Sequence, residues 1–313
     1  MRLFAVPILV LLYSALASSR RSFSIDYDKR TFLRNGQAHR YVSGTLHYFR
    51  VLPGAWRDRL AKMRLAGQVR NKTLDLLFGT FSIEHKQFYA KSFISELLGL
   101  NTLQTYVEWS SHERSPGKYD FSGQNDIVSF LKIAQELGLD VILRPGPFID
   151  AERDLGGLPS WLLKHPDIKL RTSDKTYMAA VTSWYTQLFS VLRPLLFPNG
   201  GPIIMVQVEN EYGSFAMQTG HKDMEYLSQL RDLTRRLVGE GVELFTTDGA
   251  GDNFLVGGVI PGVLPTVDFG CGTDAEEAFA SQRRFEPRSP LVNSEYYPGW
   301  LDHWRVMMFR DNL

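Results

Sequence analysis

Short apolar runs alternate with stretches of helical spacing along most of the chain. Phe23 to Tyr27 and Thr31 to Leu33 read as short strands, and Asn35-Gly36 marks a turn before Ala38 to Tyr41. Tyr41 to Tyr48 has the pattern of a first core strand. Trp56, Leu60, Met63 and Leu65 then recur at helical spacing, with Gly67 placed as a C-cap. From Leu100 onward the alternation is regular. Strands are predicted over Thr102 to Val107, Asp140 to Arg144, from Pro202 to Val208, Val242 to Thr246, Thr266 to Phe269 and Leu291 to Ser294. Helices are predicted over Asn125 to Leu137, Tyr177 to Leu192, Asp223 to Val238 and Asp274 to Arg283. Core strands with helices between most of them indicate a parallel α/β sheet.

Two arrangements of such a sheet are open, and the polar residues separate them. A doubly wound sheet places ligands at one switch point and often carries a Gly-x-Gly-x-x-Gly turn, which is absent here. A (β/α)8 barrel collects functional residues at the ends of several strands on one face. That pattern is present. Ile203 to Val208 is apolar except for Gln207, as expected of a strand buried on both faces, and it ends abruptly in Glu209-Asn210-Glu211. Leu291-Val292 leads in the same way into Glu295-Tyr296-Tyr297. Tyr106 and Trp109, the stretch Pro147 to Arg153, and Asp248 close other strands. Two strand-end glutamates with aromatic company suit a sugar site. Cleaving a glycosidic bond needs one carboxyl to protonate the leaving oxygen and another to stabilise or capture the oxocarbenium-like centre.

Composition narrows the setting. With 313 residues, 44% hydrophobic and 22% charged, the chain supports one large core. A net charge of +1 and no basic run beyond Arg20-Arg21 argue against nucleic acid as a partner. Arg2, the apolar segment Leu3 to Tyr13 and Ala15-Leu16-Ala17 form a signal-peptide pattern, which predicts cleavage after Ala17 and entry into the secretory pathway. That segment is too short to span a bilayer of about 30 Å, and no later segment is long and apolar enough. Cys271 is the single cysteine, so no intrachain disulfide forms. Asn71-Lys72-Thr73 is a glycosylation sequon. His47, His112 and His303 are not spaced as metal ligands, so neither metal nor other cofactor is expected, and His47 is read as a hydrogen-bonding residue of the core or pocket.

Several stretches resemble glycoside hydrolase family 35 β-galactosidases. They are Ser43 to Arg50, Leu103 to Trp109, Ile142 to Ile149, Gly156 to Leu162, Gly200 to Ile203, Val206 to Gly213 and Asn293 to Trp304. The resemblance implies a (β/α)8 TIM barrel that hydrolyses terminal β-D-galactose residues with retention, using Glu211 as acid/base and Glu295 as nucleophile, about 5–5.5 Å apart. It carries galactose contacts onto Tyr106, Ala151, Glu152, Asn210 and Tyr297, with Trp300 in the pocket wall. Glu209 corresponds to a neighbour of the acid/base without a catalytic role. A lysosomal or extracellular location and no cofactor follow. The oligomeric state is left open.

Three departures qualify that expectation. Asp150-Ala151-Glu152-Arg153 stands where some relatives carry Cys-Ala-Glu-Trp, and the partner cysteine after the acid/base motif is absent as well. Gln68 to Gly99 reads as an insertion between the first helix and the second barrel strand. It is either a surface helix bearing the Asn71 glycan, a partner-binding element, or unselected sequence from an alternative transcript or faulty gene model. Finally, residues 18–313 read as a barrel incomplete at its C-terminal end, with strand eight and the family's downstream β-domains missing. The alternative function is therefore a catalytically impaired family fragment, a weak carbohydrate binder or a non-functional isoform.

Overall fold

A computed structural model describes residues 21–66, 100–297 and 299. The signal-peptide segment 1–17, Asn71, Gly67, the segment 68–99 and Trp300 lie outside the described residues. The described chain opens with an antiparallel three-stranded sheet, β1 (Phe23–Asp26), β2 (Thr31–Arg34) and β3 (Gln37–His39). A second sheet holds seven strands: β4 (Ser43–Thr45), β5 (Thr102–Tyr106), β6 (Asp140–Arg144), β7 (Ile203–Gln207), β8 (Glu243–Gly249), β9 (Leu264–Asp268) and β10 (Asn293–Glu295). Each pairs in parallel with the next strand along the chain. That is barrel order. The sheet curls far enough for Gln104 Nε2 of β5 to donate to the Ser294 carbonyl of β10 across the lumen, at 2.9 Å. The fold is thus a (β/α)8-type barrel, open between β10 and β4 among the described residues, as the sequence predicts.

Helices cover the outside. They are α1 (Trp56–Leu65), α2 (Trp109–His112), α3 (Ile127–Glu136), α4 (Lys175–Leu192), α5 (Tyr212–Thr219), α6 (Met224–Val238), α7 (Asp252–Gly258) and α8 (Ala275–Phe285). Four of them start where an aspartate caps the first turn. Asp126, Asp174, Asp223 and Asp274 each accept from a backbone N–H two or three residues on. Helices outside and side chains inside leave β5, β6, β7 and β9 buried throughout, which explains the apolar runs Val141 to Leu143 and Ile203 to Val206 in two of them. The sequence pattern does not predict α5 or α7. Both are short and contain glycines, and they form because they pack on each other: a Cβ on Gly257 would stand 2.7 Å from Gly213 Cα. The first core strand is shorter than predicted, since Tyr48–Arg50 turns into a 3₁₀ helix. The last begins at Asn293, because Leu291 is exposed and only the Val292 carbonyl joins the ladder.

Two bulges set which residues enter the lumen. Val141 pairs with Ile203 and Ile142 with Met205, so Ile204 is an extra residue in β7. Ile204 and Met205 both join the inner cluster, and the phase after them turns Gln207 inward. In β10, Asn293 pairs with Val267 and Glu295 with Asp268, which makes Ser294 the extra residue. Ser294 and Glu295 therefore both reach the interior.

The small sheet plugs the other end of the barrel. Phe23 and Phe32 stack at 5.4 Å and pack with Ile142, Ile204, Phe245 and Leu264. Phe23 N–H donates to the Gly241 carbonyl before β8, and Arg34 grips Asp140 at the start of β6 at 3.0 and 3.1 Å. These anchors lie at the N-terminal ends of barrel strands, so the plug seals the end opposite the strand-end carboxylates. Phe23→Ala should lower the unfolding free energy by about 3–5 kcal/mol, the usual cost of emptying a buried phenylalanine site. Urea unfolding followed by circular dichroism measures it, and a change below about 1 kcal/mol would contradict the plug assignment.

Candidate active site

Because the seven strands are parallel, their C-terminal ends open on one mouth. Tyr106, Arg144, Gln207, Asp268 and Glu295 close five of them. Arg144 is the hub. It is 1% exposed and its guanidinium lies 4.1 Å above the Tyr106 ring centroid. Its Nη2 approaches Glu295 Oε1 at 2.5 Å and donates to Asn210 Oδ1 at 2.7 Å, while Nε donates to Gln207 Oε1. The Tyr106 hydroxyl donates to the same Glu295 oxygen at 2.7 Å. Burial alone would raise the Glu295 pKa. The Arg144 charge and the two hydrogen bonds outweigh it and hold the carboxyl below its ordinary value.

Asn210 follows from the same hub. Arg144 can only donate, and Gln207 Nε2 also reaches Asn210 Oδ1 at 3.0 Å, so the amide oxygen faces inward. Its Nδ2 is left buried without a partner among the described residues. A ligand hydroxyl is the natural acceptor for it.

The Glu209-Asn210-Glu211 turn alternates its carboxylates. Glu209 is 1% exposed, receives Arg171 Nε and Nη2 at 3.0 and 2.7 Å, and takes the Tyr226 hydroxyl at 2.9 Å. It anchors the turn and is fully occupied. Glu211 caps α5 with φ 43° and ψ 45°, and its N–H donates to the Thr247 carbonyl at 3.1 Å. Two residues on, Gly213 N–H donates to Asp248 Oδ1 at 2.7 Å. A side chain at Gly213 would strike the Phe254 carbonyl, 1.9 Å away, so the turn can seat against β8 only with glycine there. Glu211 is raised to about 7, first by burial, then by the negative charges of Glu295 and Asp150, against the opposing pull of Arg144 and Arg171. Burial is thus a larger cause than the neighbouring Glu295 charge.

The remaining predicted residues line the same mouth or its rim. Ala151 packs against Tyr106 and Ile149. Asp150, Ala151 and Glu152 all hold left-handed backbone, with φ of 55°, 53° and 49°. Arg50 braces them, donating to the Ala151 carbonyl and to Glu152 Oε2 at 2.5 Å. The Tyr297 ring lies against Gly270, where a Cβ would stand 2.5 Å from it, and its hydroxyl is raised to about 12 by burial and by the charges of Asp268, Glu211 and Glu295. His47 hydrogen-bonds as expected, its Nδ1 accepting from Tyr106 N–H at 3.2 Å.

Other residues belong elsewhere or were missed. Trp109 is a core residue, stacked on Trp184 at 6.0 Å with Nε1 donating to Glu113, and offers no platform to a sugar. Asp248 is a buried brace of the Glu211 turn. Arg144, Gln207 and Asp268 are site residues that strand-end reasoning passed over. Their signal was present, since each is a polar side chain that closes a strand after at least one apolar residue. Among the described residues no three His, Cys, Asp or Glu side chains are grouped to hold a metal ion.

Comparison with known proteins agrees with this geometry. The sequence profile described as glycosyl hydrolases family 35 matches residues 31–71 and 85–312. The chain is 48% identical to a Bos taurus "Beta-galactosidase" over 287 residues, which is 92% of this chain and 38% of that protein. It is 47% identical to the Homo sapiens "Beta-galactosidase", covering 92% of this chain and 37% of that protein. It is also 44% identical to the Mus musculus "Beta-galactosidase-1-like protein", covering 96% of this chain and 40% of that protein. The chain thus spans well under half the length of these relatives, and the matched part contains the barrel strands and both strand-end glutamates. The profile match over most of the chain, on the fold just described, places it in a family: the chain belongs to glycosyl hydrolases family 35.

Proposed function

We propose that the chain carries the active site of a retaining β-galactosidase, which releases terminal non-reducing β-D-galactose from β-galactosides. One observation carries this reading. Two carboxyl groups at the mouth of one barrel have been pushed in opposite directions, Glu295 towards the carboxylate and Glu211 to about 7. Pairs displaced in this way divide into a nucleophile and an acid. The relatives named β-galactosidase supply the sugar.

In the first step a Glu295 oxygen bonds to the anomeric carbon as the glycosidic C–O bond breaks, and the Glu211 proton passes to the leaving oxygen. In the second, Glu211 as carboxylate takes a proton from water while the water oxygen attacks the same carbon and frees Glu295. Arg144 and Tyr106 keep Glu295 ionised before attack. Asn210 Nδ2 donates to a ring hydroxyl, and Ala151, Glu152, Tyr106 and Tyr297 complete the galactose pocket, with Trp300 as a further wall. Residues 1–17 are assigned as the signal peptide and Asn71 as a glycosylation site, with residence in the lysosome or outside the cell. No helix among the described residues is long and apolar enough to cross a membrane.

Glu295→Gln should reduce turnover of every β-galactoside by at least about a thousandfold. Glu211→Gln should cost about 10²–10⁴-fold with sugar leaving groups and far less with a dinitrophenyl group, which departs without a proton. Equal losses with both substrates would contradict the acid assignment. In the unmodified chain kcat/KM should fall as pH rises through about 7, where Glu211 loses its proton, and that limb should vanish in Glu211→Gln.

Stability should follow the same direction. Glu243, half-buried at the start of β8, is also raised to about 7, by that burial and then the Glu240 charge, against the pull of Arg235. Between the ordinary value of 4.5 and about 7, the folded chain binds more protons at Glu211 and Glu243 than the unfolded chain does. Stability from these two groups is therefore present in acid and lost as pH rises through that window. Glu295 has the opposite sign, and its contribution is lost only as pH falls below its ordinary range. Buried His47 and His112, lowered to about 3 and about 4, act in the opposite direction below 6.5, so the glutamate contribution is read as a difference: relative to a Glu211→Gln/Glu243→Gln variant, the unmodified chain should lose melting temperature between pH 5 and pH 7.5 when scanned by calorimetry.

A further inference from the structure

A third carboxyl closes a strand at the same mouth, and the two-step reaction gives it no task. Asp268 ends β9 and is 5% exposed. It pairs with Gly249 of β8 on one side and with Glu295 of β10 on the other, so Glu295 is its neighbour in the ladder. Its Oδ2 accepts from Thr247 Oγ1 at 3.2 Å, the one hydrogen bond its side chain receives among the described residues. The Thr247 hydroxyl also meets that of Ser294, and its carbonyl takes the Glu211 N–H. One residue of β8 thus touches Asp268, the turn of Glu211 and the bulge of Glu295.

The other carboxylates at this end of the barrel are compensated. Glu209 holds Arg171 through two N–H bonds, and Glu295 holds Arg144 and the Tyr106 hydroxyl. Asp268 has a single hydroxyl in their stead. Arg144, the cation whose field reaches it, is spent on Glu295. An anion buried on those terms is costly, and a carboxyl so placed keeps its proton. We propose that Asp268 is a positioning residue that stands in the mouth as an un-ionised acid, so that Glu211 and Glu295 work in a site without net charge through both steps. This rests on the β-galactosidase reading.

Charge balance shows why that state serves the reaction. Before the first step Arg144 balances Glu295, while Glu211 and Asp268 are neutral. After it Glu295 is an ester, Glu211 is the carboxylate, and Arg144 balances Glu211 instead. An ionised Asp268 would add an uncompensated negative charge to both states and would hold the Glu211 proton back from the leaving oxygen. Its surroundings push the same way. Burial, then the Glu211 and Glu295 charges, raise Asp268 well above the ordinary aspartate range, against Arg144 and the Thr247 hydrogen bond. Asp248 of β8 and Tyr297 beyond β10 also share its field, and both are raised, so neither brings a charge near neutral pH.

Carbon-13 NMR of the full chain labelled at its aspartate carboxyls reads the proton directly, with the Asp268 signal identified by its loss in Asp268→Asn or, if that variant does not fold, in Asp268→Ser. Near pH 7 the signal should be that of a carboxylic acid. In Glu295→Gln, where a negative neighbour is gone and Arg144 is released, its titration midpoint should fall by about one unit or more. A carboxylate signal near pH 7 in the unmodified chain, or a midpoint indifferent to Glu295, would overturn the proposal. Turnover supplies a second test. Asp268→Ala should lower kcat about tenfold or more by loosening the packing around both glutamates. Asp268→Asn, neutral and of the same shape, should recover most of that loss, with the fall of kcat/KM through about 7 kept within about 0.3 unit of its place in the unmodified chain. An asparagine variant no better than alanine, or a fall displaced downwards by about one unit, would overturn a neutral Asp268. The NMR signal does not depend on turnover, so a chain inert towards β-galactosides would strike the galactosidase reading while the signal still reports whether Asp268 holds its proton.

Discussion

The contact between Arg144 and Glu295 is the constraint on which the mouth of the barrel depends. A guanidinium held at 1% exposure is tolerable only if its charge is compensated and its donors are used. Glu295 supplies the charge, while Asn210 and Gln207 take the other hydrogen bonds. This one arrangement has three effects. It keeps Glu295 ionised in a place where burial would protonate it, it fixes the Asn210 amide with its nitrogen free, and it leaves Glu211 beside a negative charge that only partly escapes its field. Burial raises both carboxyls; at Glu295 the close Arg144 charge and the Tyr106 hydroxyl outweigh it, while at Glu211 the Glu295 and Asp150 charges add to it.

Backbone geometry gives the hub its partners. The extra residue in β7 turns Gln207 inward, and the extra residue in β10 lets Ser294 and Glu295 both face the lumen. Beyond the strand ends, Glu209, Glu211, Asp150, Ala151 and Glu152 all sit at positive φ, a conformation costing on the order of 1 kcal/mol or more each for residues with a side chain. Each strained segment is held by an arginine: Arg171 grips Glu209, and Arg50 grips Ala151 and Glu152. Strain gathered around a mouth and held by ion pairs, the buried Arg171–Glu209 and the exposed Arg50–Glu152, is what a preorganised site requires.

Much of this was legible in the sequence because the physical signals were local. Aspartates before α4, α6 and α8 mark their starts, and the apolar runs of β6 and β7 identify strands covered on both faces. Glu211, Glu295, Tyr106 and Asn210 were found because they interrupt such runs at their ends. Arg144 and Asp268 obey the same rule but were passed over, since a lone charge closing a strand also suits a solvated loop, and only the curl of the sheet turns it inward. Trp109 failed in the opposite sense: an aromatic after a strand resembled a sugar platform, whereas the turn of α2 carries it into the core against Trp184. The helices α5 and α7 left no signal, because close contact through Gly213 and Gly257 stabilises them in place of any periodicity of their own. The source of the Glu211 shift also needed the fold, as burial cannot be read from spacing.

The central claim is that Arg144 and Tyr106 prepare Glu295 as the nucleophile. It is tested most directly by incubating the chain with 2-deoxy-2-fluoro-β-D-galactosyl fluoride, whose leaving group departs readily and whose glycosyl ester hydrolyses slowly, and then mapping the adduct by peptide mass spectrometry. The account predicts one fluorogalactosyl group per chain, in ester linkage to Glu295, and its loss in Glu295→Gln. An adduct on Glu211, or none in a chain that binds galactose, would contradict it.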